Sequence, residues 1–383
     1  MAQIHWCGAG LSAVPGLRRL IENGHSVTVW NRSVDRAEAA VAGLTGDFTV
    51  RAFTLEALTA ALGKGDLAVS MLPGDFHVPI AQACLNANAH FVSSSYISPE
   101  MRALHDQGKT KGLSLVNEVG LDPGLDHSMA HDLVAAYRAS DAYDADNTLS
   151  FYSYCGGLSE TPNDFKYKFS WSPLGVLKAL KSPSKSLRNG VPFDVDRPWN
   201  AISNYTLDLP TGAETFQVYP NRDSLPFMED YKFDASWNVD TFVRGTLRYG
   251  GWSDAWSEIF EEVETLSGTE GDARLAEMSA DLWDKYSISE GEADRVVLTV
   301  ELRADRDGAP VWQQAWRMDA YGDAEASAMA KLVSLPVTLA VEAVLAGEIG
   351  SGVTAAPSAP DLVARWLDCA RQHARYLQRV DLL

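Results

Sequence analysis

Short apolar runs at residues 3–7, 26–30, 48–52, 67–71, 90–94 and 113–116 alternate with stretches at 13–23, 34–43, 55–62, 79–87 and 99–108 that carry apolar residues at helical spacing. Runs bounded by turn signals read as buried strands, and the amphipathic stretches between them read as helices. Strands alternating with helices predict a doubly wound parallel sheet, an α/β arrangement, over residues 1–125. The pattern then changes. Aromatic and turn residues become frequent, and strand-like runs at 148–155, 215–219, 242–249 and 296–302 predict an α+β domain with a mostly antiparallel sheet over 126–324. Within it, residues 258–286 read as an acidic, helical, solvated face. Alanine-rich helical sequence returns at 325–346, and a last helix is predicted near 362–377. This C-terminal segment, 325–383, is expected to pack back on the first domain.

Length and composition narrow the class. The 383 residues suffice for two domains, and 46% hydrophobic with 22% charged content is ordinary for a soluble globular protein. A net charge of -19 argues against nucleic acid as a partner and makes any cationic cluster worth locating. Cys7, Cys84, Cys155 and Cys369 are scattered without CxxC spacing, which fits neither a disulfide framework nor a zinc site and suits a reducing compartment. No basic region followed by an apolar stretch opens the chain, so no signal peptide is expected. The apolar run 332–346 is interrupted by Ser334, Pro336 and Glu342 and reads as a buried helix rather than a span. The expectation is a cytoplasmic protein without membrane partners.

The first apolar run leads directly into Gly8-Ala9-Gly10-Leu11-Ser12-Ala13, a GxGxxA pattern between strand and helix. Gly8 would make the tight turn, Gly10 would let backbone approach a pyrophosphate, and Ala13 would permit close helix–strand packing, as in a Rossmann dinucleotide fold. Leu11 and Ser12 lie at the helix N-terminus, where N–H groups meet the anion. The second run ends at Trp30-Asn31-Arg32-Ser33. An NAD site usually has an acidic residue there for the ribose 2′-hydroxyl; Asn31 replaces it, and Arg32 with Ser33 can hold a 2′-phosphate. NADP is favoured over NAD, with a solvent-facing Arg32 as the alternative. Leu72 and Pro73 follow the fourth run, where they would line the nicotinamide side, and Ser95-Tyr96 follows the fifth at the carboxyl edge of the sheet.

After the last of these strands comes NEVGLDPGLDH, residues 117–127. Asp122-Pro123-Gly124 sets a fixed turn, and Asp122, Asp126 and His127 supply polar groups. Asp126 reads as the cap of a helix through Leu133, and Asp122 as facing a cleft. His127 and His131 stand four residues apart but without the HExxH glutamate, so no metal site is expected.

In order along the chain stand Ser95-Tyr96, NEVGLDPGLDH, YSYCGGL (152–158), YKFSWSP (167–173), YPNRDS (219–224), VRGTLRYG (243–250) and ASAMAKLVSLP (326–336). Together they resemble saccharopine reductase, the glutamate-forming saccharopine dehydrogenase family, over nearly the whole chain. The resemblance implies a Rossmann domain with a separate substrate domain, and interconversion of saccharopine with glutamate and 2-aminoadipate 6-semialdehyde. It places Tyr96, Asp122, Cys155 and Arg222 on the family's substrate-pocket positions, and it implies a homodimer. Two departures bear on substrate choice: the segment 250–293 is shorter than in fungal members, and 158–162 reads LSETP rather than a Pro-rich sequence.

The residues themselves are compatible with that chemistry. Saccharopine has three carboxylates and a secondary amine, so its site needs fixed cations. Arg222, after the Tyr-Pro-Asn turn that ends at Asn221, has a planar fork suited to a carboxylate. Arg244 and Lys168 follow as candidates. An exposed strand face is the alternative for Arg244 and Arg248, and a surface lysine for Lys168. Cys155 precedes Gly156-Gly157, where backbone can approach a ligand, and otherwise is a packed apolar residue. Trp171 reads as an aromatic wall, or as core. For the proton transfers of a reductive amination Asp122 is the first candidate, with Tyr96 and Cys155 behind it. The rivals are an imine reductase of the carboxyspermidine type, a non-catalytic NADP(H) sensor, and a homospermidine-synthase-like transferase without net cofactor turnover.

Overall fold

The computed structural model describes residues 2–289 and 291–383, which divide into two compact units. The first comprises Met1–Ser128 with Ala330–His373, and the second Met129–Met329 with Ala374–Leu383.

The first unit is a parallel sheet of seven strands. Its first six are β1 (Ile4–Cys7), β2 (Val27–Asn31), β3 (Phe48–Ala52), β4 (Leu67–Ser70), β5 (His90–Ser93) and β6 (Ser114–Val116). They lie in the order β6-β5-β4-β1-β2-β3, and Gly352–Thr354 adds a strand beside β6. β1, β2, β4, β5 and β6 are short and mostly buried, as strands covered on both sheet faces are, while β3 at the sheet edge is largely exposed. The helix expected over 99–108 is two pieces, Pro99–Arg102 and His105–Lys111.

The Val14–Glu22 helix packs closely on the Ala328–Leu345 helix. Gly16 N–H donates to Ser334 Oγ at 2.8 Å, and Thr338 Oγ1 donates to the Gly16 carbonyl at 3.0 Å. A Cβ on Gly16 would lie 2.3 Å from the Ser334 carbonyl oxygen. Ala328–Leu345 is long and apolar enough to cross a membrane, yet 78% of it is buried inside the protein, as a core helix is.

The second unit carries a mixed sheet. Its strands are β7 (Thr148–Ser159), β8 (Ser184–Arg188), β9 (Val191–Val195), β10 (Ser203–Leu209), β11 (Gly212–Pro220), β12 (Asn238–Tyr249), β13 (Asp294–Arg306) and β14 (Ala309–Tyr321). The order is β10-β11-β12-β7-β13-β14, and Tyr376–Asp381 pairs antiparallel with β14. Only β12 and β7 run parallel within this path, so the sheet is mostly antiparallel. The C-terminal segment therefore does not all belong with the first unit: the last helix ends at His373, and the final strand joins the second sheet. The acidic stretch 258–286 is likewise interrupted, with helices at Ser257–Thr265 and Gly268–Tyr286. It is not wholly solvated. Phe260, Val263, Leu275, Met278 and Leu282 enter an aromatic core with Tyr167, Trp252 and Trp256.

Because the Gly16 site has no room for a side chain, Gly16→Val should destabilise the protein by about 1–3 kcal/mol through overpacking, read as a lower thermal midpoint.

Candidate active site

In the first unit the glycine loop follows β1. Gly8 has φ +108°, and a Cβ there would stand 2.8 Å from the Met71 carbonyl oxygen, so the turn admits only glycine. Around Gly10 an added Cβ meets nothing within 4 Å, which leaves open space in front of the next helix. That helix begins at Val14 with Ala13 as N-cap and no side-chain cap. Its first-turn N–H groups suit an anion. Ser12 is partly buried and Leu11 exposed on the same loop. Leu72 lies against the loop, its Cδ2 3.3 Å from the Gly8 Cβ position, and Pro73 beside it is exposed. A dinucleotide fits this cradle.

The end of β2 has a different division of labour from the one expected. Asn31 Oδ1 accepts from Ala9 N–H at 3.2 Å, and its Nδ2 donates to the Ser33 carbonyl at 2.8 Å. Asn31 thus braces the glycine loop. Ser33 caps the Val34–Val41 helix by accepting from Arg36 N–H. Arg32 is exposed, as is Arg51, which pairs in register with Trp30 on the neighbouring strand. Arg51 is a second cation beside this strand end, visible only once β2 and β3 are paired.

Beyond β5, two segments are strapped together. Tyr96 Oη donates to Asp122 Oδ1 at 2.9 Å. Glu118 N–H donates to the Ser95 carbonyl at 3.1 Å, while Glu118 Oε1 accepts from Ile97 N–H at 2.8 Å. The DPG turn needs its glycine: Gly124 has φ +146°, and a Cβ would lie 2.2 Å from the Gly120 carbonyl oxygen. The helix that follows is Leu125–Arg138, so Asp126 lies inside its first turn instead of capping it. The Asp126 carboxylate accepts from Gly124 N–H at 2.6 Å. His127 stands between Glu118 Oε2 at 3.1 Å and Asp126 Oδ2 at 3.5 Å, and all three are buried. Among the described residues no His, Cys, Asp and Glu group forms a metal site, and the His131 ring packs edge-on to Tyr231 in the second unit.

In the second unit two of the candidates, Arg244 and Cys155, share one face of the sheet. Residues two apart on a strand share a face, as do direct partners across strands. Arg244 opposes Ser153, and Thr246 opposes both Cys155 and Tyr219. Arg244 and Arg248 are 3% and 5% exposed, so the exposed-face alternative is excluded. The Arg244 guanidinium lies 4.0 Å from the Phe227 ring centre. Arg248 sits over Tyr167, Tyr219 and Trp252 at 4.9–5.8 Å. Aromatic faces attract such cations. Asn221 N–H donates to the Arg244 carbonyl at 2.9 Å, and exposed Arg222 follows with φ +60°. The turn is therefore fixed to β12.

Three expectations change. Cys155 is inside β7, which runs on to Ser159. The two glycines after it make room for the chain itself: a Cβ on Gly156 would lie 2.5 Å from the Leu247 carbonyl oxygen, and one on Gly157 2.5 Å from Met329 Cε. Lys168 Nζ pairs with Glu292 at 2.6 Å, so its charge is already matched within a local ion pair. Trp171 donates from Nε1 to Tyr167 Oη at 3.1 Å and flanks the aromatic core.

A glycine cradle on a parallel sheet, with a tyrosine–aspartate pair past β5 and a second unit of buried arginines, defines a nicotinamide-dependent oxidoreductase. The chain belongs to the saccharopine dehydrogenase family: residues 4–116 match its NADP binding domain and residues 120–373 its C-terminal domain. It is 29% identical to saccharopine dehydrogenase (NADP+, L-glutamate-forming) of Pyricularia oryzae, with 91% of this chain and 92% of that protein covered. The structure resembles apo saccharopine dehydrogenase (L-Glu forming) from Saccharomyces cerevisiae over 100% of both chains, with TM-score 0.81 and 25% identity. Homospermidine synthase of Legionella pneumophila shares the fold at TM-score 0.66 and 12% identity, covering 100% of this chain and 91% of that one.

Two outcomes follow from this geometry. Arg32→Ser should raise KM for NADP+ about ten- to a hundredfold, the worth of a hydrogen bond to a charged group, and leave KM for NAD+ nearly unchanged in steady-state assays. The second concerns acid. Burial lowers the pKa values of His5 and His90, and brings that of His77 from 6.5 to about 4. The unfolded chain then takes up these protons first, so stability present above pH 6.5 is lost as the pH falls toward about 4. Denaturation midpoints between pH 7.5 and 5 should show this slope, and His77→Gln should make it shallower.

Proposed function

We propose that this chain is an NADP-dependent, glutamate-forming saccharopine dehydrogenase of lysine metabolism. The observation that carries the reading is the Tyr96–Asp122 hydrogen bond past the carboxyl end of β5, on the sheet whose glycine loop fits the dinucleotide. Saccharopine, NADP+ and water would give glutamate, 2-aminoadipate 6-semialdehyde, NADPH and a proton. The bound nicotinamide supplies the hydride acceptor. Asp122 takes the proton from the secondary amine, and Tyr96, bonded to its Oδ1, orients that carboxylate. Arg222 and Arg244 bind substrate carboxylates, with Asn221 fixing the turn between them. Cys155 lines the same face of the second sheet as Thr246.

The buried arginines also weigh against the nearest rival. A polyamine imine calls for an acidic pocket, whereas this face carries Arg244 and Arg248. The protein is further proposed to act as a cytoplasmic homodimer without nucleic-acid or membrane partners. The net charge of -19 supports the first exclusion, the scattered cysteines support a reducing compartment, and the family resemblance supports the dimer.

Purified protein should reduce NADP+ when given saccharopine and far less NAD+, followed by absorbance of the reduced nicotinamide. Arg222→Ala should raise KM for saccharopine about ten- to a hundredfold, as loss of a charged hydrogen bond does. An unchanged KM would remove Arg222 from the clamp. Binding of NADPH without any turnover of saccharopine would turn the assignment toward another imine or a sensor.

A further inference from the structure

Between β4 and β5 runs a hydrogen-bonded chain that the roles above leave unused. Ser70 Oγ, at the end of β4, lies 2.8 Å from His77 Nδ1, and His77 Nε2 lies 2.8 Å from Ser95 Oγ. Ser70 is 0% exposed and His77 7%, while Ser95 is only partly buried and borders Tyr96. The Ser95 backbone is held on both sides, by Ser93 Oγ at its N–H and by Glu118 N–H at its carbonyl. Its hydroxyl hydrogen is the one remaining degree of freedom.

The ring can carry its proton on either nitrogen, and the two choices are not equivalent. With the proton on Nδ1 the ring would donate to Ser70, leaving the buried Ser70 hydroxyl hydrogen with no acceptor among the described residues. With the proton on Nε2, Ser70 donates to Nδ1 and the ring donates to Ser95, so every buried donor is satisfied. Leaving a buried donor unsatisfied is costly, which selects the second arrangement. Ser95 Oγ then already accepts one hydrogen bond, and its own O–H must point away from the ring.

We propose that His77 is a positioning residue that fixes Ser95 as a hydrogen-bond donor toward a substrate carboxylate beside the Tyr96–Asp122 pair. This rests on the saccharopine reading for the identity of the substrate, but not for the state of the ring. Burial keeps the ring neutral, against the weaker opposing pull of Asp75. A neutral ring is what allows Nδ1 to accept from Ser70 and Nε2 to donate to Ser95.

The test combines a double-mutant cycle with a direct view of the proton. His77→Phe should raise KM for saccharopine about ten- to a hundredfold, as expected for a lost hydrogen bond to a charged group, with kcat and the Kd of NADPH within about twofold. Ser95→Ala should give the same loss, and the double variant should be no worse than Ser95→Ala alone. His77→Gln, which keeps a donor toward Ser95, should recover most of the loss and guards against a misfolded Phe variant. Additive losses, an unchanged KM, or a weakened Kd for NADPH would overturn the proposal. Nitrogen-15 NMR of labelled histidine, assigned by the signal missing in the variant, should show an Nε2–H ring at pH 7. An Nδ1–H or doubly protonated ring would overturn it as well. If the unaltered protein turns over no saccharopine, the functional reading fails, and the NMR result alone decides the state of His77.

Discussion

The position of β1 between β2 and β4 governs the chemistry of the first unit. Parallel strands all end on one edge, and chain direction reverses across β1, so loops leave that edge on both sides of a crevice. The crevice is tight where it must be. Gly8 approaches the Met71 carbonyl so closely that no side chain fits, while at Gly10 the space stays open. Asn31, at the end of β2, then ties the loop from the other side through Ala9. A glycine-rich loop is flexible by composition, and these neighbours make it rigid. Rigidity lets a pyrophosphate bind without ordering the loop first.

A second constraint is the expense of burying polar groups. Past β5 the chain buries Glu118, Asp126 and His127, each of which demands partners. The partners are Ile97, Gly124 and one another, so the groups that satisfy burial also hold Tyr96 against Asp122. In the second unit the buried arginines lie against aromatic faces. Arg244 lies over Phe227, and Arg248 over Tyr167, Tyr219 and Trp252. Two arginine side chains thus share one face of this sheet, which suits a substrate with several carboxylates.

The first unit was readable in the sequence because its signals are local. Each strand is a short apolar run, and the glycine loop directly follows the first one. Bounds agree to within a residue or so for β1 to β6. The second unit was half readable. β8, β9 and β10 are largely exposed or partly buried and carry no continuous apolar run, the long β14 interleaves polar residues, and the last strand, Tyr376–Asp381, looked like the tail of a helix. Cys155 was misplaced because Gly156-Gly157 looks like a strand end, whereas the glycines admit Leu247 and Met329. The ion pair of Lys168 was invisible because its partner, Glu292, is 124 residues away. His77 was overlooked for the same reason: its contact with Ser95 exists only because β4 and β5 are neighbours. Of the site, the residues embedded in motifs were legible, and those that act across the sheet were not.

The central claim concerns which carbon–nitrogen bond of saccharopine is opened, and the amino acid released reports it directly. Protein incubated with saccharopine and NADP+ should release glutamate in step with NADPH, measured by chromatography of the amino acids. Release of lysine with 2-oxoglutarate would mean that the opposite bond is cleaved, and would contradict the account.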